Sequence, residues 1–261
     1  MNPQSREEFM PAPAAKPGLP SVTICVLTFG DHPELAHRAL ASIRSYCPRS
    51  EYRLIVGANA VGDKTLKLLA ARRETGEIDD VIVSPSNLGK SAMMQKMFAA
   101  VETEFIWWFD DDSYIIERTT FSRWLQAGQS SPASMVLWGA LHSCEHPFFF
   151  TDGAGADAVE FVRKAAWYRG LPPPSWRPGG KGEFNLWGRG LGDGRWLFVS
   201  GGCFMIRTSA VRAMPWPDPR LFVVAEDIFL GEAVRQQGWS FGNIDPLGVA
   251  INTRPSRGIR K

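Results

Sequence analysis

The chain predicts an α/β protein with a mostly parallel central sheet flanked by helices, and three observations carry that prediction. Short runs of apolar and β-branched residues alternate with helical stripes from residue 22 to residue 110. These runs are continuous rather than alternating, the pattern of strands covered on both faces. Each run ends in polar or turn-forming residues, so that Thr28, Asn87 and Asp110 gather at one edge of the sheet. That carboxyl edge is where open α/β sheets bind ligands.

The elements follow in order. Val22–Leu27 reads as a buried strand, and Thr28-Phe29-Gly30 turns the chain. Asp31 with Glu34 resembles an N-cap pair, and Leu35, Ala36, Ala39, Leu40 and Ile43 form a helical stripe that stops at Pro48. Tyr52–Gly57 is a second strand, Asp63 is placed as the cap of a second helix bearing Leu66, Leu69 and Ala70, and Val81–Val83 is a third strand. Gly89–Val101 carries Met93, Met94, Met97 and Phe98 at helical spacing. Phe105–Phe109 is a fourth strand, followed by a helix around Arg118–Gln126 and an apolar run at Met135–Leu141.

From residue 145 to residue 195 the composition shifts to Gly, Pro and aromatics, and only Ala156–Tyr168 reads as helical. A loop region this long is usually functional. Beyond it, Leu197–Val199 and Cys203–Ile206 flank a Ser200-Gly201-Gly202 turn, and Ser209 opens a short helix. A longer helix starts at Leu221–Asp227 and runs to Gln237, with short strands at Phe241–Ile244 and Val249–Ile251.

With 44% hydrophobic residues in 261, the chain buries a large core as one α/β domain with an insertion. A net charge of +2 selects no polyanion partner by itself. The proline-rich N-terminus lacks the basic-then-apolar order of a signal peptide, and no run reaches the length of a membrane span. A cytoplasmic protein is expected. Cys25, Cys47, Cys144 and Cys203 lie far apart without a C-x-x-C pair, which fits buried thiols rather than disulfides or a zinc site.

The chemistry concentrates at Asp110-Asp111-Asp112. Three adjacent carboxylates at a sheet edge repel one another and lose solvation, so cations usually neutralise such an arrangement. If the segment stays extended, Asp110 and Asp112 point the same way roughly 6.5–7 Å apart while Asp111 points opposite. Such a pair suits Mg²⁺ or Mn²⁺ held jointly by substrate phosphates. The structural alternative is a solvated turn with Asp112 capping a following helix.

Five elements in order resemble the GT-A glycosyltransferases, most of all the family 2 type: Leu27-Thr28-Phe29, Asn87-Leu88-Gly89-Lys90, Phe109-Asp110-Asp111-Asp112, Gly201-Gly202-Cys203-Phe204-Met205-Ile206-Arg207, and Glu226-Asp227 ahead of Arg235-Gln236-Gln237-Gly238-Trp239. The resemblance implies a Rossmann-like sheet and transfer of a sugar from a nucleoside-diphosphate sugar, a UDP-sugar in the first instance, to an acceptor hydroxyl. Thr28, Phe29 and Asp31 would hold base and ribose. Asn87, Gly89 and Lys90 would approach the nucleotide, Lys90 meeting phosphate. Asp112 would be the main ligand of Mn²⁺ or Mg²⁺, with Asp110 or Asp111 on ribose or metal-bound water.

Within the same resemblance, Asp227 would be the general base beside Glu226, and a single displacement would invert the anomeric centre. Gly201 and Gly202 would leave room beside the sugar. No third protein ligand for the metal stands out; His142 and His146 are misplaced, and Asn252 is the remaining oxygen. Arg254 and Arg257 of the basic tail are placed over the diphosphate. The implied organisation is a flexible leader at 1–20 and one domain at 21–261. Within it lie a nucleotide-sugar half (21–113), an acceptor-side insertion (145–196), a catalytic half (197–245) and a basic tail (246–261).

In the insertion, Trp176, Trp187 and Trp196 with Arg189 are candidate acceptor contacts; packing an otherwise coreless loop is the alternative for each tryptophan. Aromatics interleaved with arginine also suit stacked bases and phosphates, so a glycan acceptor stands beside a hydroxymethylated base in DNA. Two other classes remain. A noncatalytic glycan- or nucleic-acid-binding relative has no need of both Asp112 and Asp227. A pyrophosphorylase needs a basic glycine-rich loop after its first strand, where this chain has Thr28-Phe29-Gly30-Asp31.

Overall fold

The computed structural model describes residues 20–144, 150–151, 154–155, 158–171, 196–218, 220–221, 226–244 and 248–251. The alternation read from the sequence is present: β1 (Val22–Phe29), α1 (Pro33–Tyr46), β2 (Tyr52–Asn59), α2 (Asp63–Glu74), β3 (Asp80–Ser84), α3 (Lys90–Ala99) and β4 (Phe105–Asp110). Next come β5 (Tyr114–Ile115), α4 (Thr120–Ser130), β6 (Met135–Cys144), the two-residue strands β7 (Phe150–Thr151) and β8 (Ala154–Gly155), and α5 (Ala158–Arg163). The chain closes with β9 (Trp196–Arg207), α6 (Thr208–Ala213), α7 (Glu226–Gln236), β10 (Ser240–Asn243) and β11 (Val249–Ala250).

Seven strands form the main sheet in the order β10-β6-β9-β4-β1-β2-β3. The β1–β2, β2–β3, β1–β4 and β6–β10 pairs are parallel, and β9 alone runs antiparallel to both its neighbours. Strand side chains alternate faces, so each continuous apolar run feeds two cores. From β4, Ile106 and Trp108 face one core, while Phe105, Trp107 and Phe109 face the other. The first is covered by Met93, Met94 and Met97 of α3 and Phe229, Leu230, Ala233 and Val234 of α7; the second by Leu40 and Ile43 of α1 and Phe121 and Trp124 of α4. Trp107 stacks on Trp124 at 5.3 Å and Trp108 on Phe204 at 6.2 Å. Each is a fully buried ring, worth about 3–5 kcal/mol against truncation to Ala.

Several local expectations change. Asp31 does not cap α1: His32 holds the N-cap position, no side chain bonds the helix end, and Pro33 opens the first turn. Asp63 is the first residue of α2 behind an N-cap Gly62, where its charge complements the helix dipole instead of capping. The second half differs most. Leu197–Val199 and Cys203–Ile206 are one strand, β9, because Ser200-Gly201-Gly202 form an irregularity inside it rather than a turn: Gly139 of β6 pairs with Phe204, yet Leu141 pairs with Val199. β6 extends to Cys144 to match, and α5 is shorter than Ala156–Tyr168. Among the described residues, no helix is long and apolar enough to cross a membrane.

Candidate active site

The parallel topology brings the ends of β1, β2 and β4 to one edge, and antiparallel β9 brings its irregularity to the same place. No helix follows the aspartates; the chain turns at Asp111-Asp112 and enters β5, so Asp112 caps nothing. Nor is the triplet extended, and its three carboxylates have different surroundings. Asp111 is 3% exposed, accepts the Phe29 N–H at 3.1 Å, and donates its own N–H to the Leu27 carbonyl, clipping β4 to β1. This burial sets its carboxylate against the protein backbone. Asp110 accepts the Lys90 ammonium at 2.8 Å and the Trp108 indole N–H at 3.1 Å. Asp112 is half-buried at the turn.

The turns at the ends of β1 and β3 are braced from below. Thr28 is buried with its hydroxyl donating to the Gly57 carbonyl at 2.9 Å, which spends that group on the β1–β2 pair. Phe29 is exposed at the same strand end, and Asp31 lies in the exposed loop beside Gly62. Asn59, 2% exposed at the end of β2, donates to the Asn87 side chain and accepts the Leu88 N–H at 2.9 Å. Asn87 in turn accepts the Gly89 N–H at 2.8 Å. Gly89 has φ 79°, a left-handed value that a Cβ disfavours, and this turn sets Lys90 at the first position of α3.

Lys90 projects across the site. Its Nζ lies 2.8 Å from Asp110 Oδ2, 2.7 Å from Glu226 Oε1 and 3.0 Å from the Gly201 carbonyl. Burial disfavours its charge, but Asp110 and Glu226 outweigh that and raise its pKa. Burial pushes the Asp110 carboxyl up to about 6, with Lys90 opposing. Asp227 accepts the Gly201 N–H at 3.1 Å and the Ile228 N–H at 2.9 Å. Its pKa is raised, first by burial and then by Glu226, against the pull of Lys90. At Gly201 a Cβ would stand 2.7 Å from Glu226 Oε1 and 3.1 Å from Asp227 Cβ, so α7 seats its first residues against bare backbone.

The structure therefore brings together Asp110, Asp112, Lys90, Gly201, Glu226 and Asp227 from four separate segments. Trp196 is not with them: 3% exposed and edge-on to Phe229 at 6.0 Å, it packs the core and offers no face to an acceptor. Trp176, Trp187, Arg189, Asn252, Arg254 and Arg257 lie outside the described residues. Among the described residues, no three His, Cys, Asp or Glu side chains form a ready-made metal cage.

Sequence reasoning missed Asn59, though a polar residue closing a buried strand is a readable signal. Gln236, which lies in the Arg235–Trp239 stretch of the family resemblance but had no role assigned to it, is 2% exposed; its side-chain amide donates to the Leu171 carbonyl at 2.6 Å and accepts the Arg169 N–H at 3.0 Å. Beside it, Arg235 makes a two-pronged bond to buried Glu232. The Gln236 bonds tie residues 169–171, inside the insertion, to the helix that carries Glu226 and Asp227; nothing in the local pattern announces the partners.

Comparison with known proteins agrees with the fold. The mannosyltransferase PcManGT from Pyrobaculum calidifontis, solved in complex with GDP-Man and Mn²⁺, shares the fold at a TM-score of 0.62 and 14% identity, over 94% of this chain and 60% of that one. S. aureus TarS 1–349 does so at 0.52 and 15% identity, over 82% of this chain and 55% of TarS 1–349. Its complex with UDP scores 0.51 at 15% identity, over 87% and 61%. This chain thus spans only about 60% of the length of these structures. A search of curated proteins finds no match. The family described as glycosyltransferase like family 2 matches residues 20–242, and the chain belongs to that family, with a GT-A fold.

Proposed function

We propose that the protein is a metal-dependent, inverting glycosyltransferase that moves a sugar from a nucleoside-diphosphate sugar to an acceptor hydroxyl. The observation that carries this reading is Asp227. Two backbone N–H groups aim its carboxylate, and burial beside Glu226 raises its pKa toward that of a useful base. Asp227 takes the proton of the acceptor hydroxyl while the oxygen attacks the anomeric carbon. The bond to the departing diphosphate breaks on the opposite face, with its electron pair leaving on the phosphate oxygen. One displacement without an enzyme nucleophile inverts the centre.

The residues present fit a hard divalent ion. Asp112 supplies a half-buried oxygen ligand at the sheet edge, beside an Asp110 whose oxygens are engaged by Lys90 and Trp108. Among the described residues no cage of three such side chains exists, so Asp112 would hold the ion together with oxygens of the substrate, the habit of Mg²⁺ and Mn²⁺. When bound, the ion supplies Lewis-acid stabilisation of the leaving group. The exposure of Phe29 and Asp31 at the end of β1 supports a contact of Phe29 with the nucleobase and of Asp31 with the ribose. The Mn²⁺ and the nucleotides bound by the structural relatives support the same donor class; a UDP-sugar is the first donor to test.

The test is release of nucleoside diphosphate from a panel of nucleotide sugars, with and without Mn²⁺ or Mg²⁺. Wild type should turn over one donor only with metal, and Asp112→Ala should abolish both turnover and metal-dependent nucleotide binding. No binding and no turnover across the panel would overturn the assignment.

A further inference from the structure

A lysine ammonium has three N–H donors and no acceptor. At Lys90 three acceptors stand within bonding distance: Asp110 Oδ2 at 2.8 Å, Glu226 Oε1 at 2.7 Å and the Gly201 carbonyl at 3.0 Å. All three donors are spent inside the protein, which leaves none for a phosphate. The side chain is 18% exposed, and its nitrogen lies 5.9 Å from the Trp108 ring centre, on the same indole that bonds Asp110. Its acceptors belong to three segments that have no local reason to meet. Asp110 ends β4, Gly201 sits in the irregularity of β9, and Glu226 opens α7.

The root of the side chain is equally fixed. Asn59 and Asn87 brace the turn at Leu88-Gly89, and Gly89 with its left-handed φ aims Lys90 inward. Gly201 is therefore gripped on two sides: its carbonyl by Lys90, and its N–H by Asp227 Oδ2 at 3.1 Å. A single charge thus ties the nucleotide edge to the residue beside the base.

We propose that Lys90 is a positioning residue: it holds Glu226 and Gly201 so that Asp227 faces the acceptor hydroxyl, and it makes no contact with the donor phosphates. This rests on the reading of Asp227 as general base. It differs from the phosphate-binding lysine implied by the sequence resemblance, and the two assign different kinetic signatures. A phosphate ligand acts on donor affinity; a positioning residue acts on turnover with affinity retained.

The experiment compares wild type, Lys90→Gln, Glu226→Gln and the double variant. It reads calorimetric affinity for the nucleoside diphosphate with Mn²⁺, and kcat for its release from the nucleotide sugar. Lys90→Gln should lower kcat about 100-fold and leave affinity within about threefold. The double variant, which removes one positive and one negative charge together, should be no slower than the worse single variant, because both changes break one unit. It also carries the test if Lys90→Gln alone, with unbalanced buried carboxylates, fails to show a cooperative melt. A loss of nucleoside-diphosphate affinity of about 30-fold in Lys90→Gln with kcat retained would overturn the proposal, as would costs that simply multiply in the double variant. Wild type without turnover or nucleotide binding would instead overturn the glycosyltransferase reading itself.

Discussion

The two halves of the site are built in different ways. On the side proposed for the nucleotide, strand ends lie side by side, and polar groups lock each end to its neighbour: Thr28 to Gly57, Asp111 to Phe29, Asn59 to Leu88. On the side proposed for catalysis, Glu226 and Asp227 open a helix and are held by an irregular strand and by a lysine from the other half. The braces of the first half lie within that half. The second depends on tight backbone approach at Gly201 and on Lys90, so substitutions there should cost turnover well before they cost stability.

The largest effect expected is at Asp227. Asp227→Asn should lower kcat by roughly 10³-fold, within the range for losing a general base, with nucleotide affinity and melting temperature close to wild type. Steady-state kinetics beside calorimetry decides it, and a matching loss of affinity would make Asp227 a donor ligand instead.

Next is Gly201→Ala. The added methyl cannot fit between β9 and α7 without moving Glu226, so a loss of about 10²-fold in kcat is expected, together with about 1–3 kcal/mol of stability from overpacking. Thermal or urea denaturation of the same sample separates the two.

Adjacent aspartates sharpen the contrast. Asp111→Ala removes a buried carboxylate and its part-buried bond from the Phe29 N–H, which clips β4 to β1, and should cost about 1–3 kcal/mol, read as a lower urea midpoint. Asp112→Ala, half-buried at the turn, should shift the midpoint little and instead remove metal-dependent binding. Equal destabilisation by both would erase the distinction between clip and ligand.

The pH profile follows from the raised pKa of Asp227. The base works only when ionised, so kcat/KM should fall on the acid side with a midpoint above the ordinary carboxylate range. The stability term has the opposite slope. The folded state binds this proton more tightly than the unfolded chain, so its contribution is full below the ordinary pKa and is lost as pH rises through the raised one. An acid limb at the ordinary aspartate value would exclude Asp227 as the base.

The smallest effect concerns the thiols. Burial raises the pKa of Cys25, Cys47 and Cys203, with Cys47 pushed up to about 12, which starves them of thiolate. In native protein these three should resist alkylation that is complete in denaturant, as peptide mass analysis would show.

The legible parts were those governed by nearby residues. Continuous apolar runs such as Ile24-Cys25-Val26 marked strands fed to two cores, and the stripe from Leu35 to Ile43 marked α1. Strand ends then located Thr28, Asn87 and Asp110 at one edge, because parallel connection leaves no other choice. Helix entries were less legible. Asp31 and Asp63 had the right residue type for a cap, but Pro33 and Gly62 moved the boundary by a residue.

The local pattern of residues determined the sheet, its two-faced burial, the edge at which chemistry gathers, and the family. Tertiary structure alone decided that Asp111 is a clip while Asp112 remains at the open turn, that Ser200-Gly201-Gly202 is an irregularity inside one strand, and that Trp196 belongs to the core. It also turned Lys90 inward. Glu226 is 136 residues further along the chain, and no periodicity carries information over that separation. The packing of α7 on β9, of β9 on β4 and of α3 on β1 and β2 brings the two charges within bonding distance, where each makes the other's burial tolerable.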